Sequence, residues 1–532
     1  MKIPKQIISF GMRITAMIAI GALITLNACK EEEGTPSAPQ ISADASTLSI
    51  KLGETKTVAL TISAAGKLKD IVATVDKGTV TVAGITGVGE STATATLTYV
   101  APQVLGTATI SITVNDQSSQ SVKKDIAVEV TAQPPVELTG GAVEGEWGPF
   151  RTYTIKGSLN VPAGKKLIVR EGTTIIVDGD GKQGTSPEIS VAGSFYSYGT
   201  EANPVLFTVP QAKRTKENIF AGLWGGILGT IESPEMAIIY TRIEYVGGPA
   251  SAGTNIVTSG ELKEGDPRGG LYYTNPNGKF VMQNSTIAYS KDDGMRVNQG
   301  TLLITNNTYI LNGQTGGEAL NVKSGCRGDV AFNTFCQAAT NGIKWSNSDD
   351  RTPQTDVNVY NNTAINCGWR QTKSGRGGSF NLEKGGRGKV YNNIVVNCKF
   401  GVRFPKSPDN PDVANSAVGY NFYYGANDVV TAQFYPTSIS SVAKGDSETA
   451  NDISTGTPNF VTLTITPFDQ VAAANPANMD FPAAFNLKLA AGSPALAKGK
   501  TGWATKFTSH SVDGKTYNVP APANYIGAFG SN

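Results

Sequence analysis

The chain has 532 residues, a formal net charge of +2, 17% charged residues, 60 glycines and a single histidine. A balance this close to neutral gives no global footprint for nucleic acid or for an anionic membrane. The single histidine, His510, excludes zinc sites of the His-Glu-x-x-His type and leaves any Ser-His-Asp or Cys-His site to be built around that residue alone.

Residues 1–28 read as a signal peptide: Lys2, Lys5 and Arg13 supply the positive region, and Ile14 to Leu26 the apolar core. That run is too short for a spanning helix. Leu26-Asn27-Ala28-Cys29 resembles the lipobox of bacterial lipoproteins, with Asn27 departing from the usual small residue, and implies acylation of Cys29. Lys30-Glu31-Glu32-Glu33 resembles the acidic export signal of Bacteroidetes surface lipoproteins. The resemblance implies a protein held on the outer membrane, at the cell surface, by several acyl chains, which anchor durably where one would not. Residues 29–39 form a polar tether.

Residues 40–132 alternate tightly between apolar and polar. Thr47–Ile50, Thr57–Ile62, Thr94–Tyr99, Thr109–Val114 and Ile126–Val130 read as strands, separated by Gly, Asn and Asp. Five or more such strands predict an antiparallel β-sandwich. Tyr99 is its only aromatic residue and it has no cysteine, so the antibody-type disulfide and tryptophan are absent. The segment resembles an Ig-like spacer of bacterial surface proteins.

Gln133-Pro134-Pro135 makes a linker, because proline cannot join a sheet interior. Beyond it, over residues 133–532, a V-x-x-N frame recurs at Val281-Asn284, Ile304-Asn307, Val330-Asn333, Val359-Asn362, Val390-Asn393 and Val418-Asn421. Successive asparagines lie 23, 26, 29, 31 and 28 residues apart, a period that predicts a stacked-coil solenoid. Asparagine tolerates a left-handed bend and can bond its copies one rung away. Ile287, Ile310, Cys336, Ile365, Val396 and Tyr424, three residues after each asparagine, are expected to point inward. These features resemble the asparagine ladder of right-handed parallel β-helices, the pectate-lyase-like family. Gly-marked bends near Gly157, Gly172, Gly199 and Gly225, and closing segments at Ala491–Leu496 and Tyr525–Phe529, extend the resemblance over roughly Val136 to Asn532. The fold expected is therefore all-β, an N-terminal Ig-like β-sandwich followed by a right-handed parallel β-helix. One such scaffold hosts many activities.

A second strand in each coil reads small, apolar, polar, apolar, as in Gly294-Met295-Arg296-Val297 and Gly342-Ile343-Lys344-Trp345. Period-two alternation turns the polar residue outward, so stacking lines up Arg296, Asn321, Lys344, Asn381 and Arg403. Asn298, Lys323, Ser346 and Glu383 form the next outward column. The first column spans four rung spacings, roughly 19 Å, a length suited to several sugar units. Trp369 and Arg370, in the inserted segment Gly368–Gly377, offer a stacking ring beside a charge. The site expected is thus a solvent-exposed, polysaccharide-binding face built from Arg296, Asn321, Lys344, Trp369, Arg370, Asn381 and Arg403, with an acidic polysaccharide favoured by its charge. The surface-lipoprotein resemblance adds an outer-membrane glycan importer as a partner.

No catalytic set and no cofactor is called for, and two alternatives stay open: a polysaccharide lyase or other carbohydrate-active enzyme, and a structural or adhesive surface module. For a lyase, Lys344 between Arg296 and Arg403 could act as base, since neighbouring positive charge lowers a lysine pKa. Glu383 and Asp349-Asp350 are the nearest carboxylates by sequence. Asp292-Asp293-Gly294 is partly similar to polygalacturonase-like glycosidases and reads as a structural bend. Asp178-Gly179-Asp180-Gly181 lacks the calcium-loop spacing and reads as a glycine-rich turn; no metal site is expected. His510 reads as a surface-loop residue. Cys367 and Cys398 should stack as buried free thiols, with Cys326 and Cys336 left undecided.

Overall fold

The structure, a computed structural model, describes residues 34–348 and 350–531. Cys29, the signal peptide and Lys30–Glu33 lie outside the described residues, as does Asp349. The chain divides into two compact units.

The N-terminal unit is built from two four-stranded sheets. One orders Gln40–Ala43, Thr55–Ser63, Thr92–Val100 and Thr79–Thr86; the other orders Thr47–Lys51, Ser121–Thr131, Gly106–Asp116 and Leu68–Val75. Alternate side chains such as Val58, Leu60 and Ile62 or Ile110, Ile112 and Val114 are buried, as period-two strands with one wet face require. Tyr99 is fully buried, and its hydroxyl donates to the Lys77 carbonyl at 3.0 Å. Three strands, Gln40–Ala43, Leu68–Val75 and Thr79–Thr86, were not individually evident from the alternation.

The second unit is a right-handed parallel β-helix. Its coils supply one strand each to parallel sheets of 9, 10 and 11 strands. Asn307, Asn333, Asn362 and Asn393 each donate both the backbone N–H and Nδ2 to Oδ1 of the next ladder member, at 2.8–3.0 Å. Asn421 closes the asparagine run, and its N–H donates to Asp452 Oδ1. Ile304, Val330, Val359, Val390 and Val418 are in register, as the repeat requires.

Two expectations need correction. Val281 pairs with Leu303, not Ile304, so the first unit of the repeat is shifted by one. The ladder position there is Ser285, whose N–H donates to Asn307 Oδ1. Asn284 instead joins Asn306, Phe332, Asn361, Asn392 and Tyr420, the left-handed residues that precede each ladder member (φ 50 to 60). The bend is made by the residue before the ladder asparagine, not by that asparagine.

Ile287 and Ile310 belong to the cluster that fills the coils, as expected, but from Asn333 onward the strand after the bend faces differently from expectation. Tyr309, Phe335, Ala364, Val395 and Tyr423, two residues after the ladder position, fill the coil interior. Cys336, Ile365 and Val396 point to the other side of the sheet. There they are covered by Leu487, Leu489, Ala495 and Ile526 of the C-terminal segment. That segment runs back along the solenoid. Trp503 and Tyr525 pack on Phe332 and Tyr360, and Val512 and Tyr517 on Ile168, Tyr196, Ala237, Val281 and Leu303. His510 is buried in its hairpin against Phe507 rather than in a surface loop, and burial pushes its imidazole down to about 4. All four described cysteines are free and buried.

Candidate functional site

Arg296, Asn321, Lys344 and Asn381 are consecutive partners in the 9-stranded sheet, and Arg403 bridges to Asn381. The column expected from the alternation therefore exists. It is not solvent-exposed. Asn321 and Asn381 are 2% exposed and Arg403 5%. The column forms the floor of a cleft of about 1000 Å³, walled by residues 314–317 and 371–376 and by 405–409 with Ser438 and Ile439.

Three residues before the column, where each strand begins, stand Asp293 and Glu318. Asp293 Oδ2 accepts from Arg296 Nη2 and from Asn321 Nδ2, both at 2.8 Å, while Oδ1 accepts from the Glu318 N–H. Glu318 Oε1 pairs with Lys344 Nζ at 3.0 Å and Oε2 accepts from the N–H and Nδ2 of Asn341. Asn381 Nδ2 donates to Glu383 at 2.7 Å. The floor is a woven lattice of charge and amide. Within it, Oδ1 of Asn321, Asn341 and Asn381 has no hydrogen-bond partner among the described residues. Buried acceptors are seldom left so.

These pairings set the titration of the floor. Burial and then the adjacent Asp293 carboxylate push Asp292 up to about 7. Burial would raise Asp293 too, yet Arg296, Lys344, the Glu318 amide and Asn321 together hold it below the usual range. Burial opposes the charge on Lys344, but Glu318, Glu383 and Asp293 outweigh it and raise the ammonium. The lysine expected to be lowered is therefore raised. Its neighbour Lys323 is the one lowered, to about 8, by burial and by Lys344 and Arg296. No described carboxylate lies within salt-bridge distance of Lys323. The sequence understated Asp292, Asp293, Glu318 and Lys323: the first two lay in a turn, Glu318 stood in no motif, and Lys323 lay in a second column.

Trp369 and Arg370 lie away from the cleft lining. Trp369 packs against the coil core, its ring on Phe468 and its Nε1–H donating to the Asn397 carbonyl at 2.7 Å. Arg370, 2% exposed, donates to the carbonyls of Gly313, Gln314 and Gln337 and lies over the Phe220 ring. Both residues brace the inserted segment whose residues 371–376 form the wall. Elsewhere, Asp180 accepts from the Lys182 N–H and the Thr185 hydroxyl, the bonding of a polar turn. Among the described residues no group of three or more His, Cys, Asp or Glu is placed to hold a metal ion.

A family model described as "Right handed beta helix region" matches residues 255–418, which contain the whole column. No curated protein matches the chain. Among solved structures, the BIgI domain of beta protein from S. agalactiae bound to CEACAM1 is similar at 14% identity, covering 18% of this chain and 99% of that one, with a TM-score of 0.15. A Yersinia enterocolitica family 28 exopolygalacturonase is similar at 12% identity, covering 73% of this chain and 91% of that one, with a TM-score of 0.19.

Proposed function

We propose that the cleft binds an acidic oligosaccharide or polysaccharide. The lining is the observation that carries this reading. Eight basic residues and five acidic ones line the cleft, amide side chains such as Gln314, Asn341 and Gln371 stand among them, and none of the lining residues is aromatic. Amide acceptors suit sugar hydroxyls, and the excess of cations suits carboxylate or sulfate groups. Recognition here rests on hydrogen bonds and charge rather than on ring stacking.

The test is binding of polygalacturonate, alginate and chondroitin sulfate by calorimetry, over a range of salt. Binding to at least one of these, weakening as salt rises, is the expected result, because charges open to solvent are screened. The rim substitutions Lys373→Ala, Arg376→Ala and Lys406→Ala should weaken binding with little change in Tm. No binding to any acidic polymer overturns the reading. Lys344→Ala is a poor probe: it strips Glu318 of its cation and so destabilises the floor itself.

A second reading, a β-eliminating lyase, is favoured by Lys323. A lysine lowered to about 8 is a competent base near neutral pH. It would take the proton α to a uronate carboxylate, the C–O bond to the leaving sugar would break as its oxygen takes a proton from water, and a carbon–carbon double bond would form. Unsaturated product from a polyuronate, abolished in Lys323→Gln, is the outcome that supports it; intact polymer after prolonged incubation removes it.

The chain's place in the cell is proposed on the sequence alone: a lipid anchor at Cys29 on the outer membrane, beside a glycan importer. Labelling with a palmitate analogue should mark the wild type and not Cys29→Ala.

A further inference from the structure

The column that makes the cleft floor starts earlier than the cleft does. In register before Arg296 come Tyr272 and, before that, Leu228. Both face the same way as Arg296, and both are buried beneath Ala250, Ile256 and Leu262 of the segment 249–267. Tyr272 is tied down further: its hydroxyl donates to Glu261 and accepts from Asn298 Nδ2, each at 2.6 Å. Pro267, at the end of the same segment, lines the cleft.

The segment is fixed at its neck. Pro249 bridges Pro267, and the Ala250 N–H donates to the Asp266 carbonyl. Arg268, fully buried, forms an ion pair with buried Glu188 and donates to the carbonyls of Gly248 and Ser186. A buried pair of this kind is expensive to disrupt, since either partner alone is an uncompensated charge. The segment is therefore a built wall across the groove. At the other end, Arg403 donates to the Gly375 carbonyl, Phe404 N–H to Ser440, and Pro405 bridges Ser440. Lys406, Pro408 and Ile439 rise there as lining.

From this closure we infer that the cleft takes the end of an acidic glycan chain and excludes its interior. The inference rests on the binding reading above. A polymer crossing the floor in mid-chain would have to continue along the column over Tyr272 and Leu228, where Ile256 and Leu262 already sit. A chain terminus needs only the space between the two walls, about 19 Å of floor at the rung spacing of a sheet.

The experiment uses the whole protein and the acidic polymer that binds it among polygalacturonate, alginate and chondroitin sulfate. The polymer is lightly fragmented to raise the number of ends at constant mass, and bound protein is titrated. End binding makes protein bound per gram rise in proportion to the ends, so doubling the ends doubles the protein bound. Affinity for defined oligomers should climb with length and then level off once the floor is filled. Capacity set by polymer mass and indifferent to fragmentation overturns the inference and leaves the binding reading standing. Absence of binding to every polymer and oligomer overturns both. A variant with residues 251–264 replaced by a short glycine linker should, if folded by circular dichroism, gain mid-chain capacity; a folded variant still counting ends also overturns the inference.

Discussion

At the residue scale, Asp292 and Lys323 give the cleft a pH response that the rest of the chain does not dictate. Asp292 is held near 7 and Lys323 near 8. Below the first value Asp292 is neutral and the cleft is at its most positive. Above the second Lys323 loses its charge. Affinity for an acidic glycan should therefore fall as pH rises from 6 to 9 at fixed ionic strength. Lys323→Gln should flatten the upper half of that decline and Asp292→Asn the lower half. Isothermal titration at stepped pH reads both; an unchanged slope in the two variants would mean that neither residue meets the ligand. Trp369 makes the opposite case. Its ring lies half-buried against the coil core, so Trp369→Ala should lower Tm, costing about 2 kcal/mol, less than a fully buried aromatic, while affinity per folded molecule stays close to wild type.

At the element scale, the ladder shows what a sequence states and what it conceals. Asn307 to Asn421 were legible because the chemistry repeats: each side chain does the same two bonding jobs, so the same residue type recurs. The first rung was misread because Ser285 does part of that work with a shorter side chain, and the conspicuous Asn284 belongs to the bend. The two can be told apart. Asn362→Ala would leave the N–H and Nδ2 of Asn333 without their acceptor, at about 3 kcal/mol or more. Asn284→Ala should lose only about 1 kcal/mol, from its left-handed φ of 52. Chemical denaturation of both variants measures the difference. The column was legible for the same reason as the ladder, through strict alternation in successive coils. Its burial was not, because the walls come from irregular segments such as 371–376 and 405–409, whose positions no local period encodes. Likewise Cys336, Ile365 and Val396 look inward by composition, and only the distant cover of Leu487, Leu489 and Ile526 explains apolar side chains on the outer side of a sheet.

At the scale of the solenoid unit, the C-terminal segment changes the kind of object it is. A stack of coils is ordinarily a chain of nearest-neighbour contacts, free to fray from either end. Here Asn361 and Asn392 hold the segment by Tyr525 and Lys500, Asp329 accepts from the N–H groups of Lys506 and Phe507, and Glu235 accepts from that of Asp513. Val512→Asp would place a charge among Ile168, Tyr196 and Leu303. Hydrogen exchange should then quicken in the strands Lys166–Arg170 and Ser194–Tyr198, more than three hundred residues earlier in the chain. Exchange unchanged in those strands would show that the early coils stand without their cover.

The course of that segment also sets an order in time. Every coil it crosses is synthesised before it, so each early rung waits, complete in its own hydrogen bonds but with an apolar outer face uncovered, until the chain comes back. During that wait Ile168, Tyr196, Val281 and Leu303 form a sticky stripe open to any passing chain. Until Val512 arrives, that stripe is what must be shielded while the chain is being made.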